Sequence, residues 1–354
     1  MNKLLTMKKI QIILSLSLLA GILASCSTKV DLYADYKDIP IVYGLLDATK
    51  DTNYVKIVRA FSGSDDASVD ATQVALIPDS NNYPGKLDAK IYRYRKAYGN
   101  EYVLDDASSD GGIIVLDTMT VHNKVPGDFY FPHQKVYYAT SGILSNTASK
   151  TYRYRLEILK GNDTVTSETG IVGGESFKIT NSGISFVSEE TDRTGKISFF
   201  PADNASVYNM EVSFTYKEVL NGDSTEKTLR YSFGMKNLQE LHEDGNLYYL
   251  TYSQNLLFNM IKPAISGNPY QMTYTYHKDN AFTVSLAAGG DDLYNYIQIN
   301  QSGGGLSQTV PDYTNINGGY GVFSSRINIT KKLKLSSRTV TDLVPFGFTD
   351  ISNQ

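Results

Sequence analysis

The chain has 354 residues, a net charge of −4 at pH 7, a single cysteine, no tryptophan and 27 tyrosines. That mildly acidic balance provides no electrostatic footprint for nucleic acid or anionic lipid, and one cysteine excludes internal disulfides and thiolate metal clusters. An apolar fraction of 41% is too high for a disordered chain, and the abundance of Tyr, Thr, Val, Ser and Gly favours strands and turns.

Residues 1–25 read as an export signal. Lys3, Lys8 and Lys9 make a basic start, and Ile12 to Leu23 is an apolar stretch. It is shorter than the about 20 residues that a helix needs to cross a bilayer. Leu23-Ala24-Ser25-Cys26 closes it and resembles the bacterial lipobox. The resemblance implies cleavage before Cys26, diacylation of its sulfur and a body held on the membrane by N-terminal lipid. At about 0.8 kcal/mol per buried CH₂, several acyl chains make such an anchor effectively permanent. Met7 opens a tighter signal than Met1, so two starts are open.

Residues 26–38 form a polar tether. Beyond them short alternating runs lie between turn residues, the pattern of a half-buried sheet. Tyr54 to Ala60 alternates. Tyr152, Tyr154, Leu156 and Ile158 share one face, and Gly161-Asn162-Asp163 turns the chain back. The cleanest strand carries Tyr208, Met210, Val212, Phe214 and Tyr216 on one face. Asn221-Gly222 follows and Leu229, Tyr231 and Phe233 return, a hairpin signal because both turn positions need positive φ. Further strands are expected at Met272–Tyr276, Phe282–Ala288, Arg326–Thr330 and Lys332–Leu335.

Helical period shows twice. Leu256, Leu257, Met260 and Ile261 make one stripe, with Pro263 expected to stop it, and Leu293, Tyr296 and Ile297 make another after Asp291 and Asp292. The fold class that follows is mainly β: two β-sandwich domains, Ig-like or fibronectin-like. The N-terminal one is expected over 39–175, and a β-rich C-terminal domain with two short helices over 176–354. Tyr-Arg-Tyr-Arg occurs at Tyr92–Arg95 and again at Tyr152–Arg155. Two strands that each expose an arginine face account for it, and an aromatic–basic sugar-binding face is the alternative.

Ile39-Pro40-Ile41-Val42-Tyr43-Gly44-Leu45-Leu46, with Tyr54 to Arg59, resembles the opening of an uncharacterised Bacteroidota lipoprotein family, classed as a domain of unknown function. Tyr154–Ile158 with Ser167–Thr169 is similar to its middle. Leu293–Tyr296 and Thr314-Asn315-Ile316-Asn317-Gly318-Gly319-Tyr320-Gly321-Val322-Phe323 resemble its end, and that last motif is the distinctive one. The resemblance implies a β-rich outer-membrane lipoprotein, on the periplasmic face or the cell surface, associated with a TonB-dependent transporter. It brings no catalytic residues, and residues 324–354 run past the family's usual end.

Candidate chemistry is sparse. His122, His133, His242 and His277 stand alone in sequence, without helical zinc spacing, and neither HExxH nor GxSxG occurs. Asp106, Ser108 and Asp110 precede Gly111, and Asp117 stands at the twelfth position, the ligand spacing of a calcium loop. An acidic hairpin tip would read the same. Apart from calcium no cofactor is suggested. Thr118, Thr164 and Ser224 each follow an aspartate in a short pattern that resembles the glycosylated sites of Bacteroidota surface proteins.

Three functional classes fit these features. The leading one is a non-enzymatic binding or accessory lipoprotein beside an outer-membrane transporter. A structural or adhesive pilus-type surface protein is the second. The third is a hydrolase assembled from scattered carboxylates, which a single sequence does not reveal.

Overall fold

The computed structural model describes residues 38–60, 73, 76–77, 81–108, 111–122, 125, 133–140, 144, 150–265, 272–301 and 313–352. The chain is mainly β, with several sheets stacked around two apolar cores.

The first core is enclosed by β1 (Pro40–Leu46), β2 (Thr52–Arg59), β3 (Asp88–Lys96), β4 (Tyr102–Leu104), β5 (Ile113–Val115), β6 (Asp117–Val121), β7 (Gln134–Thr140), β8 (Tyr152–Lys160) and β9 (Asp163–Gly170). β1, β2, β7 and β6 are neighbours in one sheet, and β4, β3, β8 and β9 form the facing one, with β5 against β3. Val42, Leu46, Val55, Ile57 and Tyr137 from the first sheet meet Ile91, Tyr154, Leu156, Ile158 and Val165 from the second. Alternation produces this directly, because successive side chains of a strand point to opposite faces. Fully burying each such side chain contributes about 1.5–3 kcal/mol.

The two Tyr-Arg-Tyr-Arg copies turn out to be cross-strand partners. Tyr92 stands opposite Arg155, Arg93 opposite Tyr154, Tyr94 opposite Arg153 and Arg95 opposite Tyr152. Directly opposed residues share a face, so the expectation of two outward arginine faces fails on β3. Its inward face is Ala89, Ile91 and Arg93, and the Arg93 side chain is only 9% exposed. Asp105, 8% exposed, receives the Arg93 Nε at 2.8 Å, and the guanidinium lies 5.3 Å from the centre of the Tyr152 ring.

The second core gathers β10 (Lys178–Ile179), β11 (Gly183–Ile184), β12 (Thr194–Phe200), β13 (Val207–Leu220), β14 (Asp223–Asn237), β15 (His242–Asp244), β16 (Leu247–Ser253), α1 (Leu256–Ala264), β17 (Met272–Tyr276), β18 (Phe282–Gly289), α2 (Asp291–Gln301), β19 (Tyr320–Leu335), α3 (Ser337–Leu343) and β20 (Phe348–Asp350). β20, β17, β13, β18 and β19 continue the large sheet, while β10, β12, β16 and β15 form a four-stranded one. Phe186, Phe199, Phe214 and Phe282 are fully buried between them, with Phe186 and Phe282 5.0 Å apart.

Local chemistry explains the turns. Asn221 and Gly222 sit at φ 51° and 93° between the paired residues Leu220 and Asp223, the two positive angles of the expected hairpin turn. Pro263 does not stop α1 but lies in its last turn, with the helix ending at Ala264. Pro263 has no N–H to give the Asn259 carbonyl one turn back, and the helix ends one residue later. α3 was not expected. It is short and rich in β-branched residues, and Ser336 caps it by accepting the Thr339 N–H at 3.2 Å.

β19 joins the two cores. Its first residues pair in parallel with β1, from Ile41 opposite Tyr320 to Leu46 opposite Ser325. The next, Arg326 to Leu333, pair antiparallel with β18. The two runs expected at Arg326–Thr330 and Lys332–Leu335 are therefore one 16-residue strand. Residues 324–354 supply Leu333, Leu335, Leu343 and Phe348 to the core.

Asp350 ends β20 and yields a pH prediction. Burial pushes its carboxyl up, but the Lys278 N–H, the Ser352 hydroxyl and N–H, and the Lys278 ammonium together hold it below the ordinary carboxylate value. A depressed folded-state value stabilises above the unfolded carboxylate pKa of about 3.9, and that contribution disappears as pH falls through the folded value. Asp350→Asn should therefore lower the denaturation midpoint at pH 7 and have a much smaller effect near pH 3. An equal loss at both pH values would contradict the linkage.

Candidate functional site

Where the two cores meet, the chain crosses from β9 through Ile171 to Val172, and both residues are fully buried. Apolar burial leaves the backbone polar groups here in need of partners. Ser325 Oγ accepts the Val172 N–H at 2.8 Å and donates to the Gly170 carbonyl at 2.6 Å. Asn204 Nδ2 donates to the Ile171 carbonyl at 2.8 Å, and the Gly290 N–H donates to the Ser325 carbonyl at 3.1 Å. Asn204 holds φ at 57°, a left-handed conformation that asparagine tolerates better than most residues.

Beside this crossing lies a polar cavity of about 190 Å³, lined among others by Arg153, Thr169, Asn204, Ser206, Asp291 and Asp292. Arg153 comes from the outer face of β8, where it stands opposite Gly170. Asp291 and Asp292 occupy the first turn of α2, where the helix dipole favours negative charge. The Ser206 hydroxyl donates to Asp291 Oδ1, and Tyr313 donates to Asp292 Oδ1 at 2.5 Å. Burial, reinforced by the neighbouring Asp292 carboxylate, pushes the Tyr313 phenol up to about 12, so it remains a donor at neutral pH. The lining thus includes two carboxylates and a guanidinium, while the Ser206 and Thr169 hydroxyls donate to Asp291 and to the Gly170 carbonyl. Among the described residues its lining contains neither histidine nor cysteine.

The distinctive Thr314–Phe323 motif has a structural job close by. Asn315 grips Phe323 at both backbone atoms, accepting its N–H at 2.9 Å and donating to its carbonyl at 2.7 Å. Ser167 donates to the Asn315 carbonyl at 2.8 Å, and Thr166 and Asn317 exchange backbone hydrogen bonds. Gly321 stands at φ 110°, where a Cβ would lie 2.0 Å from the Val42 carbonyl oxygen. The motif fastens β9 and β1 to β19.

The residues singled out from sequence are placed as follows. Cys26 and Asp110 lie outside the described residues. Asp106 and Ser108 follow β4, and the Ser108 hydroxyl donates to the Asp105 carbonyl at 2.6 Å. Asp117 opens β6 in the opposite sheet, and its carboxylate is taken by Lys86 at 2.8 Å and by the Thr118 N–H. The Lys86 ammonium, followed by the Thr118 N–H, holds the Asp117 carboxyl below its ordinary value. Among the described residues no three His, Cys, Asp or Glu side chains converge as a metal set. Thr164 and Ser224 are exposed next to two-residue turns, whereas Thr118 is half-buried in β6.

Sequence reasoning missed the cavity altogether. Asp291 and Asp292 stood out only as an acidic pair before a helical stripe, and Asn204 carried no signal beyond a turn-forming residue type. It also missed a contact between two histidines, since His122 and His133 place their Nδ1 atoms 2.8 Å apart.

No family model matches the chain. No curated protein matches it either. Similarity to solved structures extends to 21 chains. One is a chimeric titin Z1Z2 functionalized with a KLER exogenous peptide from decorin, 10% identical, covering 85% of this chain and 100% of that one at a TM-score of 0.16.

Proposed function

We propose that this chain is an exported lipoprotein, anchored in the outer membrane through lipid on Cys26, with a β-sandwich body that acts as a non-enzymatic binding or accessory protein beside a TonB-dependent transporter. The observation that carries the reading is the sequence Leu23-Ala24-Ser25-Cys26, placed directly after a basic and apolar leader and holding the chain's sole cysteine. No helix among the described residues is long and apolar enough to cross a membrane.

The cavity between the cores is the proposed binding site. At about 190 Å³ it is smaller than the ~300–1,000 Å³ of pockets that hold drug-sized ligands. Carboxylates and a guanidinium in one small cavity suit a molecule with both an ammonium and a carboxylate group, such as a free amino acid. A panel of amino acids and dipeptides tests this by thermal shift. At least one member should raise Tm in proportion to the logarithm of its concentration, and Asp292→Asn or Arg153→Gln should abolish that rise. A flat response across the panel, or a rise that both variants retain, would contradict the site.

One observation favours the adhesive reading. β14 is 15 residues long, mostly exposed, and pairs among the described residues with β13 alone. Its outer edge presents unpaired backbone groups to which another strand can add. Ordered self-polymers from detergent-solubilised membranes would support that reading over the transporter accessory.

A further inference from the structure

The β6–β7 hairpin carries chemistry that the proposed function does not use. Val121 pairs with Gln134 at the end of the ladder, so His122 and His133 stand as the next cross-strand neighbours. Both are exposed, their ring centres are 4.7 Å apart and their planes meet at 81°. The Nδ1 atoms face each other at 2.8 Å, which as a hydrogen bond needs one ring to donate and the other to accept. The ladder beneath is anchored by buried Val136 and Tyr137, and the Tyr137 hydroxyl accepts the Leu87 N–H at 2.8 Å. Lys135, two residues along the strand from His133, donates to the Tyr83 carbonyl at 3.0 Å and the Gly85 carbonyl at 3.2 Å.

We propose that His122 and His133 form a surface chelate for a divalent transition metal of tetragonal or octahedral preference, copper(II) or nickel(II). Two imidazole nitrogens are soft enough to select such ions over calcium or magnesium. Their spacing decides the geometry. With metal–nitrogen bonds of about 2.0–2.1 Å, donors 2.8 Å apart subtend roughly 85–90° at the metal, the cis angle of square-planar or octahedral coordination. A tetrahedral ion would need the same two atoms roughly 3.3 Å apart, wider than the spacing at which the two rings are held. For both Nδ1 atoms to ligate, the donor ring moves its proton from Nδ1 to Nε2 by exchange with solvent, and water completes the coordination.

Calorimetric titration of detergent-solubilised full-length protein with copper(II), nickel(II), zinc(II) and magnesium chlorides tests this. Copper should bind with one equivalent per chain, and nickel at least as tightly as zinc. His122→Ala and His133→Ala should each weaken copper about tenfold or more, and the double variant little further, because one imidazole alone is no chelate. His242→Ala, which alters a ring stacked on Tyr249 elsewhere, should change nothing. Copper electron paramagnetic resonance should show coupling to two imidazole nitrogens in the wild type and lose it in either variant. Zinc binding tighter than nickel would overturn the geometry. Copper binding unchanged in the double variant would mean adventitious metal only and would overturn the site.

Discussion

Gly321→Ala should be among the most damaging substitutions in the chain, with a loss of about 4 kcal/mol out of the 5–15 kcal/mol by which domains of this kind are stable. Two effects add. At φ 110° any side chain is strained, which alone costs of order 1–3 kcal/mol. The new Cβ would also meet the Val42 carbonyl oxygen at 2.0 Å, and that oxygen belongs to the backbone of the neighbouring strand. It cannot retreat without breaking the parallel pairing of β1 and β19, through which the two cores are joined. Gly161 separates the two effects. It also has positive φ, at 59°, but a Cβ there meets nothing within 4 Å. Gly161→Ala should cost only about 1 kcal/mol. Denaturant unfolding of both variants checks the comparison, and equal losses would show that the close approach at Val42 contributes nothing.

Asp105→Ala should cost about 3–5 kcal/mol, because it takes the neutralising carboxylate away from an arginine that the first core has already desolvated. Arg93 is held by Asp105 at 2.8 Å, and Arg95 reaches the other carboxylate oxygen at 3.6 Å from a more exposed position. The pair itself need not be a net source of stability, since the desolvation of both charges offsets much of their attraction. Replacing both, as Arg93→Met with Asp105→Leu, should recover most of the loss of the single variant. A double variant as unstable as Asp105→Ala would mean that the charges support the surrounding turn in some further way. The backbone gives one such route, because the Asp105 N–H donates to the Arg93 carbonyl and the Arg93 N–H to that of Gly112.

This pair also shows what one sequence can reveal. Ala89, Ile91 and Arg93 fall on one face of an alternating strand, and a charge on an apolar face announces a buried partner. The partner lies twelve residues on, across a turn, and nothing local identifies Asp105 over Asp106. Features governed by neighbours in sequence were legible: the Asn221-Gly222 turn follows from the positive φ values it requires, and the Tyr208–Tyr216 face from strand alternation. Features governed by strand register were not. His122 and His133 meet only because a hairpin folds with Val121 opposite Gln134, and the two Tyr-Arg-Tyr-Arg copies pair only because β3 and β8 are antiparallel neighbours. The cavity is further still from local rules, since Arg153, Asn204 and Asp291 are brought together from three distant stretches of chain. The Thr314–Phe323 motif was conspicuous in sequence, yet its glycines and asparagines serve backbone approach rather than chemistry.

Lipid on Cys26 is the claim on which the proposed function rests, and membrane fractionation tests it most directly. Wild-type protein expressed in a lipoprotein-competent bacterium should incorporate labelled palmitate and sediment with the outer membrane. Cys26→Ser should take up no label and, wherever its leader has been removed, remain in the soluble fraction. A Cys26→Ser protein that lacks its leader and still sediments with the outer membrane would contradict the anchor.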